Sequence, residues 1–125
     1  MNIELLKPFL TKNKAERIIY ELNSKNKKED AFTKLNDFEL FFNLKNNIVD
    51  LTHLTDDEAL KIISNTISEK YCLNLRSGNV EKIIDAYINS VNSYMCNILL
   101  INETTLIYIG EVEIGSSTKY IVRNK

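Results

Sequence analysis

The chain reads as an α+β domain, with amino-terminal and central helices packed on a C-terminal antiparallel β-meander of three strands. Three observations predict this class. Apolar residues recur at helical spacing through the long middle segments. Thr55 to Glu58 form a T-x-x-E capping box. The last 29 residues, NILLINETTLIYIGEVEIGSSTKYIVRNK, change to β-type sequence rich in branched and aromatic residues. A chain of 125 residues suits one domain, 1–125, and at this size folding buries roughly two-thirds of the unfolded surface.

From the amino terminus, Ile3, Leu6 and Leu10, then Ile18, Ile19 and Leu22, lie three and four apart and predict helix over 2–23. Pro8 suits a first helical turn, and Asn13 followed by Glu16 resembles a second helix start, so the segment is open to a break. Residues 23–30, NSKNKKED, have no apolar side chain and read as a solvated connector. Residues 31–53 carry two readings. Phe38, Leu40, Phe42 and Leu44 alternate and are followed by KNN and IVDLTH, which predicts a hairpin at 38–53 extending the sheet. The rival is a helix from Glu29 to Leu44, because Phe38, Phe41 and Phe42 also fit a helical stripe.

The capping box opens a helix with Leu60, Ile63 and Ile67 on one face, running to Lys70. After YCLNLRSGN, where Ser77, Gly78 and Asn79 supply a turn and a cap, a last helix carries Val80, Ile83, Ile84, Tyr87, Ile88, Val91, Tyr94 and Met95. The β segment then offers an apolar run at 98–101, a turn at 102–104, a strand from Thr105 and a terminal strand over 118–122. Gly110 marks a bulge or bend, and Gly115, Ser116 and Ser117 make the second turn. Leu106 and Tyr108, with Val112 and Ile114, keep one alternation while Ile107 and Ile109 take the other face. Both faces of the middle strand are therefore apolar: one is expected to meet the last helix, and the other the 38–44 aromatics or a partner.

Composition narrows the class. Hydrophobic residues are 44% and charged residues 26%, with a net charge of −1, which is too apolar and too neutral for a disordered chain. Cys72 and Cys96 lack CxxC spacing and read as structural thiols of a reducing compartment. The start has no export-type apolar region, and no uncharged apolar stretch is long enough to span a bilayer. The expected location is cytoplasmic, with no membrane contact.

No GxGxxG, Walker A or G-x-S-x-G sequence occurs, so no cofactor is expected. His53, the single histidine, lies between Asp50 and Asp56 to Glu58; imidazole beside carboxylates is the pattern of a small hydrolase or a metal site. The spacing matches neither kind of signature, so neither a catalytic nor a metal role is assigned. Charge is uneven: residues 1–36 hold eight Lys or Arg against five acids, and residues 37–70 three against seven. Lys7, Lys12, Lys14, Arg17, Lys25, Lys27, Lys28 and Lys34 raise the alternative of a phage or mobile-element regulator that binds DNA. A sequence pI near 5.9 opposes it, and no nucleic acid is expected. The acidic stretch instead predicts a surface for a basic protein partner. Asp50, His53, Asp56, Asp57 and Glu58 are its candidate contacts, Asp37, Glu39 and Glu69 join it if the fold allows, and Tyr71 and Tyr108 are the aromatic anchors, Phe41 being a further exposed aromatic.

Across its whole length the chain's small size, solubility and AT-type composition, rich in Lys, Asn and Ile, resemble bacterial immunity proteins paired with toxins in contact-dependent growth inhibition and related systems. The resemblance implies a non-enzymatic cytoplasmic protein that binds a cognate toxin domain, for instance a nuclease, and blocks its active site or its access to substrate.

Overall fold

The computed structural model describes residues 2–112 and 117–124. They form an α+β fold in which one six-stranded antiparallel sheet is covered on both faces by helices. The amino-terminal layer comprises a 3-10 helix, Ile3–Phe9, then α1 (Lys12–Asn23), α2 (Lys28–Leu35) and α3 (Phe38–Phe41). Strand β1 (Asn47–Asp50) follows, then α4 (Asp56–Thr66), β2 (Tyr71–Asn74), β3 (Asn79–Lys82) and α5 (Ile83–Ser93). The chain finishes with β4 (Asn97–Leu100), β5 (Thr105–Ile109) and β6 (Lys119–Arg123). The strand order is β1-β6-β5-β4-β2-β3.

The expected meander is present as β4, β5 and β6, and its middle strands have apolar residues on both faces because both faces are core. Ile98, Leu100, Leu106, Tyr108 and Val122 point into the amino-terminal layer. Leu99, Ile101, Ile107, Ile109 and Ile121 point into the layer of α4 and α5. All five residues of β5 are buried. Each fully buried Leu or Ile side chain contributes about 1.5–3 kcal/mol of transfer free energy, so this strand is a large share of the stabilising burial. Antiparallel sheets more often leave one face wet and alternate in polarity; here the run TLIYI replaces alternation because neither face is wet.

The aromatic segment covers the second face of β5, as a helical turn rather than a strand. The hairpin expected at 38–53 does not form. Asp37 caps α3 by accepting a hydrogen bond from the Leu40 amide at 3.3 Å, and the Phe42 amide closes the turn on the Phe38 carbonyl at 2.9 Å. Phe38 and Phe42 then stack at 4.5 Å and both meet Tyr108 edge-on, at 4.8 and 5.3 Å. Residues 47–50 do form a strand, but its partner is β6, with Ile48 opposite Val122 and Asp50 opposite Tyr120. The rival helix over Glu29–Leu44 is closer in kind, yet it breaks at Asn36, whose Oδ1 accepts from the Glu111 amide at 2.8 Å.

Other boundaries move for local reasons. The 2–23 segment is broken as read, with the 3-10 turn ending before α1. The capping box at Thr55 forms in both directions, Thr55 Oγ1 accepting from the Glu58 amide and Glu58 Oε1 from the Thr55 amide. Helix α4 ends at Thr66, short of Lys70. The YCLNLRSGN segment and the residues after it are a β2–β3 hairpin, so α5 starts at Ile83 rather than Val80. Asn74 Oδ1 holds that turn by accepting from the Arg76 and Ser77 amides, and Gly78 takes a left-handed φ of 73°. Helix α5 stops at Tyr94, itself left-handed at φ 61°. Beyond Gly110 the expected Ile114 and the Gly115–Ser116 turn lie outside the described residues. Among the described residues no helix is long and apolar enough to cross a membrane.

Candidate functional site

Strand β1 is one edge of the sheet. The Leu51 amide donates to the Lys119 carbonyl at 2.7 Å, so by the alternation of an antiparallel ladder Asn47 and Val49 bond to β6. Ile48 and Asp50 then turn their backbone N–H and C=O groups outward. All four residues are exposed, Ile48 at 41% and Val49 at 38%. Leu40 and Leu44, exposed at 50% and 67%, stand on the chain leading into this edge. A free edge with apolar side chains is a template for another strand.

Acids flank it. Asp50 ends the strand, with Oδ1 accepting from the Thr52 amide at 2.8 Å. The chain turns back through Leu54, whose amide donates to the Leu51 carbonyl, and enters α4 at Asp56. Asp56, Asp57 and Glu58 are exposed there. Glu58 is engaged by the cap, and the other two complement the helix dipole. Glu39 and Asp50 also lie close enough to Tyr120 to act on it: burial first, then these two charges, push its phenol pKa up.

Asp50 ends β1 on the face of Tyr120, with Glu39 acting on the same phenol, on the amino-terminal side of the sheet; His53 and Asp56 to Glu58 follow in the loop and first turn of α4, which packs on the other face. His53 is exposed, and among the described residues its ring has no hydrogen-bond partner. Asp37 is used as the α3 cap. Glu69 does not join these acids: its carboxylate takes the Asn102 side-chain amide, which holds its pKa below the usual range.

Tyr108 is not an exposed anchor. It is wholly buried, its hydroxyl donates toward the carbonyls of Leu35 and Asn36 at 3.0 and 3.1 Å, and burial pushes its pKa up. Its face of β5 is covered by Phe38 and Phe42 of the aromatic segment and not left for a partner. Tyr71 is exposed at 52%, but β2 lies four strand positions from β1, roughly 19 Å across the sheet. It lies on the far side of the sheet, one strand in from the other edge, β3. Phe41 is only half-buried, with Lys14 over its ring.

Most amino-terminal cations are already engaged. Lys7, Arg17 and Lys34 pair with acids, Lys14 and Lys28 donate to the carbonyls of Leu40 and Arg76, and Lys27 sits over Tyr20. Lys12 and Lys25 have no such partner among the described residues. Among those residues, too, no group of three or more His, Cys, Asp or Glu could hold a metal ion.

Comparison with protein-family models, with curated proteins and with solved structures finds no match. The functional reading therefore rests on the geometry of the β1 edge.

Proposed function

We propose that this chain is a non-enzymatic binding protein that neutralises a basic protein partner, in the manner of an immunity or inhibitor protein facing a toxin domain. The observation that carries the reading is the open β1 edge, with its outward backbone groups, exposed Ile48 and Val49 and the acid Asp50 at its end; exposed Asp56 and Asp57 follow at the start of α4. Apolar contact supplies affinity, and the acids steer a cationic surface and set its orientation. A nuclease domain, basic where it holds nucleic acid, is a partner of fitting charge. An acidic plug on that surface competes directly with phosphate.

Co-expression with the product of the adjacent gene tests the function, and charge reversal tests the site. The expected result is rescue of growth and co-purification, with Asp50→Lys, Asp56→Lys and Asp57→Lys together lowering affinity at least tenfold, a loss of about 1.4 kcal/mol. A neighbour that is harmless, or unaffected by this chain, would remove the function. Rescue undiminished by the triple reversal would move the site elsewhere.

A further inference from the structure

The free edge of β1 has a chemistry that complements itself. Its outward backbone groups belong to Ile48 and Asp50, because the Leu51 amide bonds to the Lys119 carbonyl and sets the alternation. The side chains at its centre, Ile48 and Val49, are β-branched, apolar and exposed at 41% and 38%. Natural sheets guard such edges with lysine, proline or a bulge. The other edge, β3, is guarded: the Ile83 amide bonds to the Lys70 carbonyl, which turns the backbone groups of Val80 and Lys82 outward and puts a lysine on the edge. On β1 the one charged residue is Asp50, at the end of the strand.

Two antiparallel registers about a twofold axis use these outward groups. In the first, Ile48 faces Ile48 of a second copy and Asp50 faces its Asn46. In the second, Val49 lies on the axis and Ile48 faces Asp50. Either register gives the Ile48 and Asp50 amides a carbonyl across the axis, so the side chains decide. The second sets a carboxylate against an apolar side chain and brings the two Asp50 positions to roughly 8 Å. The first joins Ile48 to Ile48 and holds the Asp50 positions roughly 14 Å apart, beyond the screening length of about 8 Å at physiological salt. It also gives each Asp50 a donor. Asn46 Nδ2 donates one hydrogen to the Phe9 carbonyl at 3.0 Å, on the sheet face that Asp50 shares with Tyr120, and has a second hydrogen to give. A net charge of −1 per chain opposes such association only weakly.

We propose that β1 pairs with β1 of a second copy, Ile48 on Ile48, and joins two six-stranded sheets into one when no other protein holds the edge. A ladder between four-residue strands is a small interface, so the dimer is of the weak, concentration-dependent class. The pairing needs the open edge and not the partner proposed above; where that partner docks on the same edge, dimer and complex exclude each other.

Sedimentation of the purified chain over a range of concentrations, together with disulfide mapping, tests the pairing. The chain should pass reversibly from monomer to dimer as its concentration rises. Ile48→Lys, which sets two ammoniums opposite each other at an exposed position, should raise the dissociation constant at least about tenfold, with an unchanged urea midpoint showing that the fold is kept. Mild oxidation reads the register. Ile48→Cys should cross-link, since a hydrogen-bonded antiparallel pair has Cα atoms about 5.5 Å apart, whereas Val49→Cys, roughly 8 Å from its counterpart, should not. The native Cys72 and Cys96 are buried and stay out of the reaction. Neither readout involves a toxin, so the neutralising role stands or falls on co-expression alone. A monomer at every concentration, a dimer that survives Ile48→Lys, or cross-linking of Val49→Cys as fast as Ile48→Cys would overturn the pairing.

Discussion

Glu21 is the residue whose environment departs furthest from its sequence signal. It lies in α1, a helix with a polar outer face, yet it is 1% exposed. Its Oε2 accepts from Arg17 at 2.7 Å, an i,i+4 contact visible in the sequence, and from Lys34 on α2 at 2.6 Å, which is not. Burial pushes its pKa up, but the hydrogen bonds from Lys34 and Arg17 outweigh it and leave the carboxyl below its ordinary value of 4.5. A depressed folded pKa stabilises the fold above the unfolded value, and that stability is lost as pH falls from about 4.5 through the folded pKa. Glu21→Gln should cost about 1–2 kcal/mol at neutral pH and flatten that acid limb in denaturant titrations; an unchanged limb would assign acid sensitivity elsewhere. The cysteines were more legible. Both are buried, and burial raises each thiol to about 12. At about pH 8 a thiol reagent should modify neither until denaturant is added; rapid labelling of the native chain would contradict the burial.

At the scale of elements, the strands and helices that could be read are those whose residues admit one period. Strands β4 and β5 are apolar on both faces and bounded by turns, and the Thr55 cap allows only a helix start. Phe38 and Phe42, four apart, share a face in a helix and in a strand alike, so their spacing could not choose; the Asp37 cap did. The β2–β3 hairpin was hidden because Val80 falls three before Ile83 and so extends the apolar stripe of α5 backwards. Gly110, read as a bulge or bend, marks a close approach instead. Its amide donates to the Thr118 carbonyl at 2.7 Å, and a β-carbon there would stand 2.5 Å from Thr118 Oγ1. Gly110→Ala should destabilise by about 1–3 kcal/mol, with most of it regained in the double variant with Thr118→Ala. Equal loss in the single and double variants, read from urea midpoints, would place the strain in the backbone instead.

For the whole molecule, the class was readable and the assembly was not, since nothing local in IVD says that it will pair with the last strand. That pairing decides the candidate site, because it sets Asp50 on one edge, four strands from Tyr71, and leaves the β1 edge open. Strand β5, like β2, β4 and β6, gives residues to both cores. The amino-terminal layer is joined to it by the rings of Phe38, Phe42, Tyr108 and Tyr120, with centroids 4.5 to 5.8 Å apart, and by the Tyr108 hydroxyl on the carbonyls of Leu35 and Asn36. Tyr108→Phe keeps the ring contacts and removes only the donor, which should cost about 1–2 kcal/mol. If the two cores share β5 as one cooperative unit, amide exchange should accelerate by a similar factor in α1 and in α5, although α5 lies across the sheet from the substitution. Acceleration confined to the amino-terminal helices would mean that this layer opens separately, and that the sheet with α4 and α5 is the more stable body on which both edges are built.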